Sequence, residues 1–222
     1  MARIACLCFL LVTATAGAAH AQGLYLPNQT SGIGVVAGVD YNQDAYGVGL
    51  GAGYSYKAFI DGGLVVHRYG YSTSEVTMSS IGVQPYVNVH LLRQSDAMPI
   101  SVAATGNYQQ YFYSVDADNR DPSGYSFFLG GSAYHHFGLS DTASITPQAT
   151  LGYGFQHTRG AQGLIKLDRD DGGFQVQLAT NLGFQSASGS GTVWTLNPFV
   201  TFDTNYVTFG LGFGATFPVS RK

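Results

Sequence analysis

Charge is what this chain has least of. Asp, Glu, Lys and Arg make up 10% of it, against about a quarter in an ordinary soluble domain. Thirteen acidic residues include a single glutamate, Glu75, and the formal net charge is −3. With no basic footprint, nucleic acid is a poor candidate partner. Both cysteines, Cys6 and Cys8, stand near the start, so the rest of the chain has no disulfide framework to lean on. Long apolar runs are also missing. Beyond the first segment no window approaches the ~20 apolar residues a membrane-crossing helix needs. Helical periodicity is absent as well. What the chain has in quantity is glycine, with 30 residues, and aromatics, at 14%.

These residues alternate. In the stretch from Val207 to Phe217, Val207, Phe209, Leu211, Phe213, Ala215 and Phe217 take every second position. Thr208, Gly210, Gly212, Gly214 and Thr216 fill the gaps. A strict period of two makes one β-strand with two unlike faces, one bulky and apolar, the other tiny. A half-exposed strand of a soluble sandwich would carry charge on its second face, and this one carries none. About 9–11 residues, apolar toward lipid and small or polar toward a lumen, is the template of a membrane-crossing β-strand.

The chain opens on a different pattern. Arg3 is followed by the apolar run from Ile4 to Val12 and by the small-x-small group Ala19-His20-Ala21. This reads as a Sec-type signal peptide over residues 1–21, cleaved before Gln22 and too short to span a bilayer as a helix. Removal of Arg3 leaves 9 Lys+Arg against 13 acids, a net charge of −4. The domain layout that follows is a short periplasmic lead at 22–30, a barrel over 31–219 and a tail at 220–222.

About ten strands follow from the alternation. They run near Ser31–Tyr41, Asp44–Tyr56, Phe59–Gly70, Ser79–Leu91, Ile100–Tyr113, Tyr125–Phe137, Thr142–His157, Phe174–Gln185, Trp194–Asp203 and Val207–Phe217. Eight or twelve result if Phe59–Gly70 or Thr158–Gly172 divides otherwise, an even number being required in either case. The fold class is thus all-β, a closed antiparallel up-and-down transmembrane barrel. Its lumen-lining set is Gln84, Asn88, His90, Asn107, Gln109, Tyr111, Tyr134, Gln148, Gln175, Gln177 and Asn181. No dry soluble core tolerates so many polar side chains. Aromatics recur at the ends of the outer faces, as Tyr46, Tyr54, Phe174, Phe184, Trp194 and Phe202 illustrate. Tyr71–Thr77, Ser114–Ser123 and Thr158–Gly172 read as longer outer loops, the last the longest and most charged. With both termini inside, the short turns fall in the periplasm. Pro85, Pro147 and Pro198 sit mid-pattern, where each removes a ladder donor, so bulges or register shifts are expected there. The glycine-lined strands, with Gly47, Gly49, Gly51, Gly53, Gly210, Gly212 and Gly214, leave space that large polar side chains from across the lumen either fill, which plugs it, or leave open as a narrow path for water and small solutes.

The signal, the Gly/aromatic strands and the terminal strand ending Phe213-Gly214-Ala215-Thr216-Phe217 resemble the small Gram-negative outer-membrane β-barrels, a porin-like superfamily. The resemblance covers Ser31–Val219 and is one of architecture. It implies a place in the cell outer membrane, and contact with outer-membrane lipid and lipopolysaccharide. It also implies insertion by the barrel-assembly machinery, which reads a terminal aromatic. Here Phe217 is followed by Pro218-Val219-Ser220-Arg221-Lys222. Either Phe217 serves with a short tail, or the signal is weaker. Oligomeric state is not legible.

Candidate sites are few. His67, His90, His135, His136 and His157 read as ordinary lumen or interface residues, and His135 and His136, adjacent on a strand, would point to opposite faces. Asp116–Asp121 partly echoes a calcium loop, but lacks its glycine and distal glutamate. It reads as a solvated loop, as does Lys166–Asp171. No metal, cofactor or catalytic set emerges, and no His-x-Ser signature stands near a strand. Asp40, Asp61, His67, His90 and His136 are the side chains from which a hydrolase or protease site could be built, which leaves an outer-membrane enzyme as the alternative to a structural, surface-interaction or narrow porin-like barrel.

Overall fold

The computed structural model describes residues 26–42, 45–72, 77–115, 123–162, 165–185, 191–204 and 206–219. The expected signal peptide, the calcium-like loop Asp116–Asp121 and the tail at 220–222 lie outside them. Eleven β-segments follow one another: β1 Ser31–Asn42, β2 Ala45–Tyr56, β3 Ile60–Ser72, β4 Thr77–Leu92, β5 Ser101–Val115, β6 Ser123–Tyr134, β7 Phe137–Gly138, β8 Ala143–Gln162, β9 Ile165–Gln185, β10 Val193–Phe202 and β11 Val207–Val219. Sequence neighbours pair antiparallel, and β11 returns to β1 in register from Ser31↔Val219 to Tyr41↔Phe209. The sheet is therefore closed. β7 continues β6, since Tyr134↔Gln148 and Phe137↔Ile145 keep one register on β8. Ten strands thus make the barrel. We call the end where β1 starts and β11 stops the base, and the opposite end the far rim.

The two faces divide as the alternation requires. Outward residues such as Phe174, Leu129 and Leu50 are 71%, 68% and 64% exposed, while their chain neighbours Gln175, Gly130 and Gly49 face in. An apolar belt of this extent is not a water-facing surface. It matches the lipid-facing band of a transmembrane barrel. At the base, Lys57 and Ala58 both have φ of 53°, and Phe59 N–H donates to Tyr56 O at 2.9 Å. That is the mirror-image hairpin turn whose twist suits two adjoining strands.

Three expectations change. Of Tyr71–Thr77, both ends are strand, since β3 continues to Ser72 and β4 begins at Thr77, and residues 73–76 lie outside the described ones. Thr158–Gly172 is not a loop. β8 and β9 stay paired from Ala143↔Phe184 out to Gln162↔Ile165, so only residues 163–164 separate them. At the β8–β9 connection strands overrun the belt on the far side instead, while most of the expected Ser114–Ser123 loop lies outside the described residues. Beyond Phe174, the nine residues 165–173 of β9 extend the ribbon by about 30 Å at ~3.4 Å per residue. Outside lipid both faces of a ribbon meet water, so no period-two apolar signal marks it.

The prolines also behave differently. Pro85 pairs with Leu64 in an unbroken β3–β4 ladder, while the β4–β5 ladder skips residues 84 and 85 and resumes in the same register at Tyr86↔Asn107. Pro198 pairs with Leu211, and the β9–β10 ladder skips from Leu196↔Leu182 to Phe199↔Ala179. Pro147 faces the break between β6 and β7, where His135 N–H donates to its carbonyl at 3.2 Å. Each proline gives up pairing on one side only, with no change of register. The register shift in the described ladders lies elsewhere, between His90 and Leu92.

Candidate functional site

The inner face is where site chemistry would have to sit. Gln84, Asn88, His90, Gln109, Tyr111, Tyr134, Gln148, Gln175, Gln177 and Asn181 all lie on it and are buried, and Asn107 is half-buried. A water-filled bore would leave such side chains wet. Gln84 and Gln109 are 1% exposed, and Tyr111 and Asn181 0%. These side chains pack against one another on the inner face of a barrel close to the eight-strand size at which side chains fill the interior.

The filling does not come from across the lumen. Several lumen-facing glycines are covered by the side chain opposite them on an adjoining strand. A Cβ at Gly47 would stand 2.7 Å from Tyr69 Cε1, one at Gly49 2.6 Å from His67 Nδ1, and one at Gly63 2.7 Å from Tyr86 Cε1. Gly47↔Tyr69, Gly49↔His67 and Gly63↔Tyr86 are direct register pairs. Phe199 covers Gly210 in the same way, and Phe128 lies over Gly130 and Gly152. The strands thus carry small-beside-large pairs, an arrangement that lets a tightly curved wall hold bulky rings. Tyr69 and Phe128 were not singled out from sequence. Tyr69 was legible, being on the same face as Asp61 and His67 at a period of two.

Hydrogen bonds tie the polar filling into patches. His67 Nε2 meets Gln84 Oε1 at 3.0 Å. Tyr111 O–H donates to Gln109 Oε1 at 2.9 Å, and its ring stacks on Tyr113. Ser132 and Thr150 pair at 2.8 Å, and Gln177 Nε2 donates to Thr201 at 3.1 Å. Asn181 joins Gln148 and Asn197 beside the gap that Pro198 leaves.

One patch has the form of a relay. Asp61 on β3, His90 on β4 and Tyr134 on β6 converge near the base. His90 Nε2 lies 2.8 Å from Asp61 Oδ2, and Nδ1 lies 2.7 Å from the Tyr134 hydroxyl. His67, Asp40 and His136 do not join them. Asp40 lies toward the far rim beside Gly47. His135 and His136 occupy the break between β6 and β7, not a strand. His135 binds the Pro99 carbonyl, and His136 Nδ1 lies 3.0 Å from Thr146 Oγ1. Partial burial, reinforced by His135 and Arg93, holds His136 below the usual imidazole pKa. At the far rim His157 pairs with Asp170 at 2.7 Å.

Beside Tyr134 a cavity of about 490 Å³ opens at the base, walled by Leu26, Arg93, Asp96, Ser101 and His136 among others. Arg93 closes part of it. Its guanidinium donates to Ala58 O and to Leu26 O, each at 2.9 Å, and so holds the lead against the β2–β3 turn. Leu26 is 2% exposed. Gln94 adds a reciprocal pair with the backbone of His136, which clips the β4–β5 connection to the β6–β7 break. No local pattern marks this clamp, since Arg93 stands in the connection between β4 and β5. Among the described residues no group of three or more His, Cys, Asp or Glu is placed to hold a metal ion.

No protein-family model matches the chain, and no curated protein matches it in sequence. Solved structures do share its fold. The translocator domain of autotransporter NalP from Neisseria meningitidis aligns over 86% of this chain and 90% of that chain, at 10% identity and a TM-score of 0.64. The beta domain of the Bordetella autotransporter BrkA aligns over 84% and 98%, at 12% identity and a TM-score of 0.51. At such identities the likeness is one of fold, and the fold is the outer-membrane β-barrel.

Proposed function

We propose that this protein is an outer-membrane barrel with a sealed lumen, and that its work is done at its surfaces as a structural or surface-interaction element. The observation that carries the reading is the burial of the inner face, where Gln84, Gln109, Tyr111 and Asn181 are at most 1% exposed. A channel needs a continuous wet path, and side chains locked against their neighbours leave none. The apolar belt supports a place in the outer membrane, with lipid and lipopolysaccharide around it and the barrel-assembly machinery as its route there. With the base toward the periplasm, the charged β8–β9 ribbon stands outside the cell. It is the part of the molecule that a partner in the medium meets first. Liposome swelling tests the sealed reading. Vesicles carrying the folded protein are expected to swell in small sugars no faster than empty ones, and swelling graded by solute size would refute it.

A further inference from the structure

The relay in the lumen and the cavity at the base share Tyr134. His90 and Asp61 lie behind the phenol, 3% and 0% exposed, while Tyr134 itself is part of the cavity wall. Both imidazole nitrogens are engaged, and the neutral tautomer that bonds Asp61 through Nε2 sets the roles. Nε2–H donates to the Asp61 carboxylate, and the Nδ1 lone pair receives the Tyr134 O–H. A base oriented by a carboxylate and bonded to a hydroxyl is the arrangement that activates a nucleophile.

We propose that Tyr134 is a base-activated nucleophile and that the base cavity is an acyl-transfer site for small, uncharged carboxylic esters. The volume of about 490 Å³ lies within the range of small-ligand pockets. Pro27 gives the wall an apolar patch for an acyl chain, and Asp96 in the same wall disfavours a polyanion. In the step, Tyr134 Oη attacks the ester carbonyl carbon. A C–O bond forms to the phenol, and the phenolic proton passes to His90 Nδ1. The carbonyl re-forms, the alcohol oxygen leaves and takes that proton, and water then cleaves the tyrosyl ester with His90 as base. No oxidant, reductant or metal is needed. The site opens at the base, so it is compatible with a lumen sealed along the rest of its length.

The ionisable groups that face the relay are Asp61 from β3, Tyr86 from β4 and Tyr134 from β6, with Arg93 and His136 at the cavity. The test uses the folded full-length protein in detergent with p-nitrophenyl acetate, reading acetyl-tyrosine by peptide mass spectrometry. Tyr46, exposed at the far rim and remote from any imidazole bond, is the internal reference. Tyr134 is expected to acetylate at least ~100-fold faster than Tyr46 near neutral pH, the usual scale of general-base assistance. Its rate should rise with pH to a plateau before Tyr46 begins to react. His90→Gln and Asp61→Asn, each checked for a heat-modifiable folded band, should lower the Tyr134 rate and abolish the plateau, leaving Tyr46 unchanged. Acetylation that favours Tyr46 or exposed lysines over Tyr134 in the unaltered protein overturns the proposal without any variant. So does a Tyr134 rate that a folded His90→Gln protein retains. Sugar uptake by liposomes is indifferent to this result, so the two readings stand or fall separately.

Discussion

Phe199 on β10 and Gly210 on β11 face each other in register, and the Phe199 ring occupies the volume where a side chain at 210 would begin. The two residues are one packing unit. The Gly210→Val substitution is therefore expected to cost about 1–3 kcal/mol, as overpacking does. Combining it with Phe199→Ala should cost less than the sum of the two single changes. Urea midpoints of the folded, heat-modifiable band check this, and simple additivity would show that the ring and the glycine are not coupled.

Depth in the bilayer gives a second expectation. Leu178 lies mid-belt on β9, whereas Phe174 marks the belt's far edge. Leu178→Arg should destabilise the barrel by about 2–4 kcal/mol and Phe174→Arg by about 0–1 kcal/mol. Folding titrations in lipid vesicles measure both, and equal costs would contradict the placement of the belt.

Arg93 supplies a third. Arg93→Ala removes donors to Ala58 O and Leu26 O, and the loss of charged donors to partly buried carbonyls costs about 1–3 kcal/mol. Hydrogen exchange should speed up at residues 26–30 and around the β2–β3 turn, with the mid-belt ladders unaffected. Unchanged exchange of the lead would show that Arg93 does not hold it.

The fourth concerns pH. His136 has a lowered pKa in the folded protein, first through partial burial and then through His135 and Arg93. The unfolded chain therefore binds its proton more readily. The stability this confers is fully present above the unfolded imidazole value of 6.5. It is lost as pH falls from there toward the lower folded value. His136→Gln, with the Gln94 backbone pair retained, should flatten the decline in denaturant midpoint below pH 6.5. An unchanged slope would assign the acid sensitivity to other groups.

What was legible in the sequence was whatever lipid imposes. Leu178, Phe209 and Leu50 had to alternate with small or polar neighbours, so strand faces and strand number could be read directly. The β8–β9 overrun was hidden, because Lys166–Asp171 lies beyond lipid, where no face is dictated. The glycine pairs were visible as glycines, but their partners depend on register. Gly47 opposes Tyr69 only because of the way β2 meets β3. The Asp61–His90–Tyr134 convergence depends on three strands at once, and the shift between His90 and Leu92 lies in one of those ladders. No local pattern encodes that.

Single-channel recording in planar bilayers tests the proposed sealed lumen most directly. Purified, folded protein is expected to insert without discrete conductance steps, across salt concentrations and voltages at which the bilayer alone is quiet. Reproducible steps of uniform size that scale with salt would mean that water and ions pass the Tyr69, Tyr111 and Phe199 packing, and would contradict it.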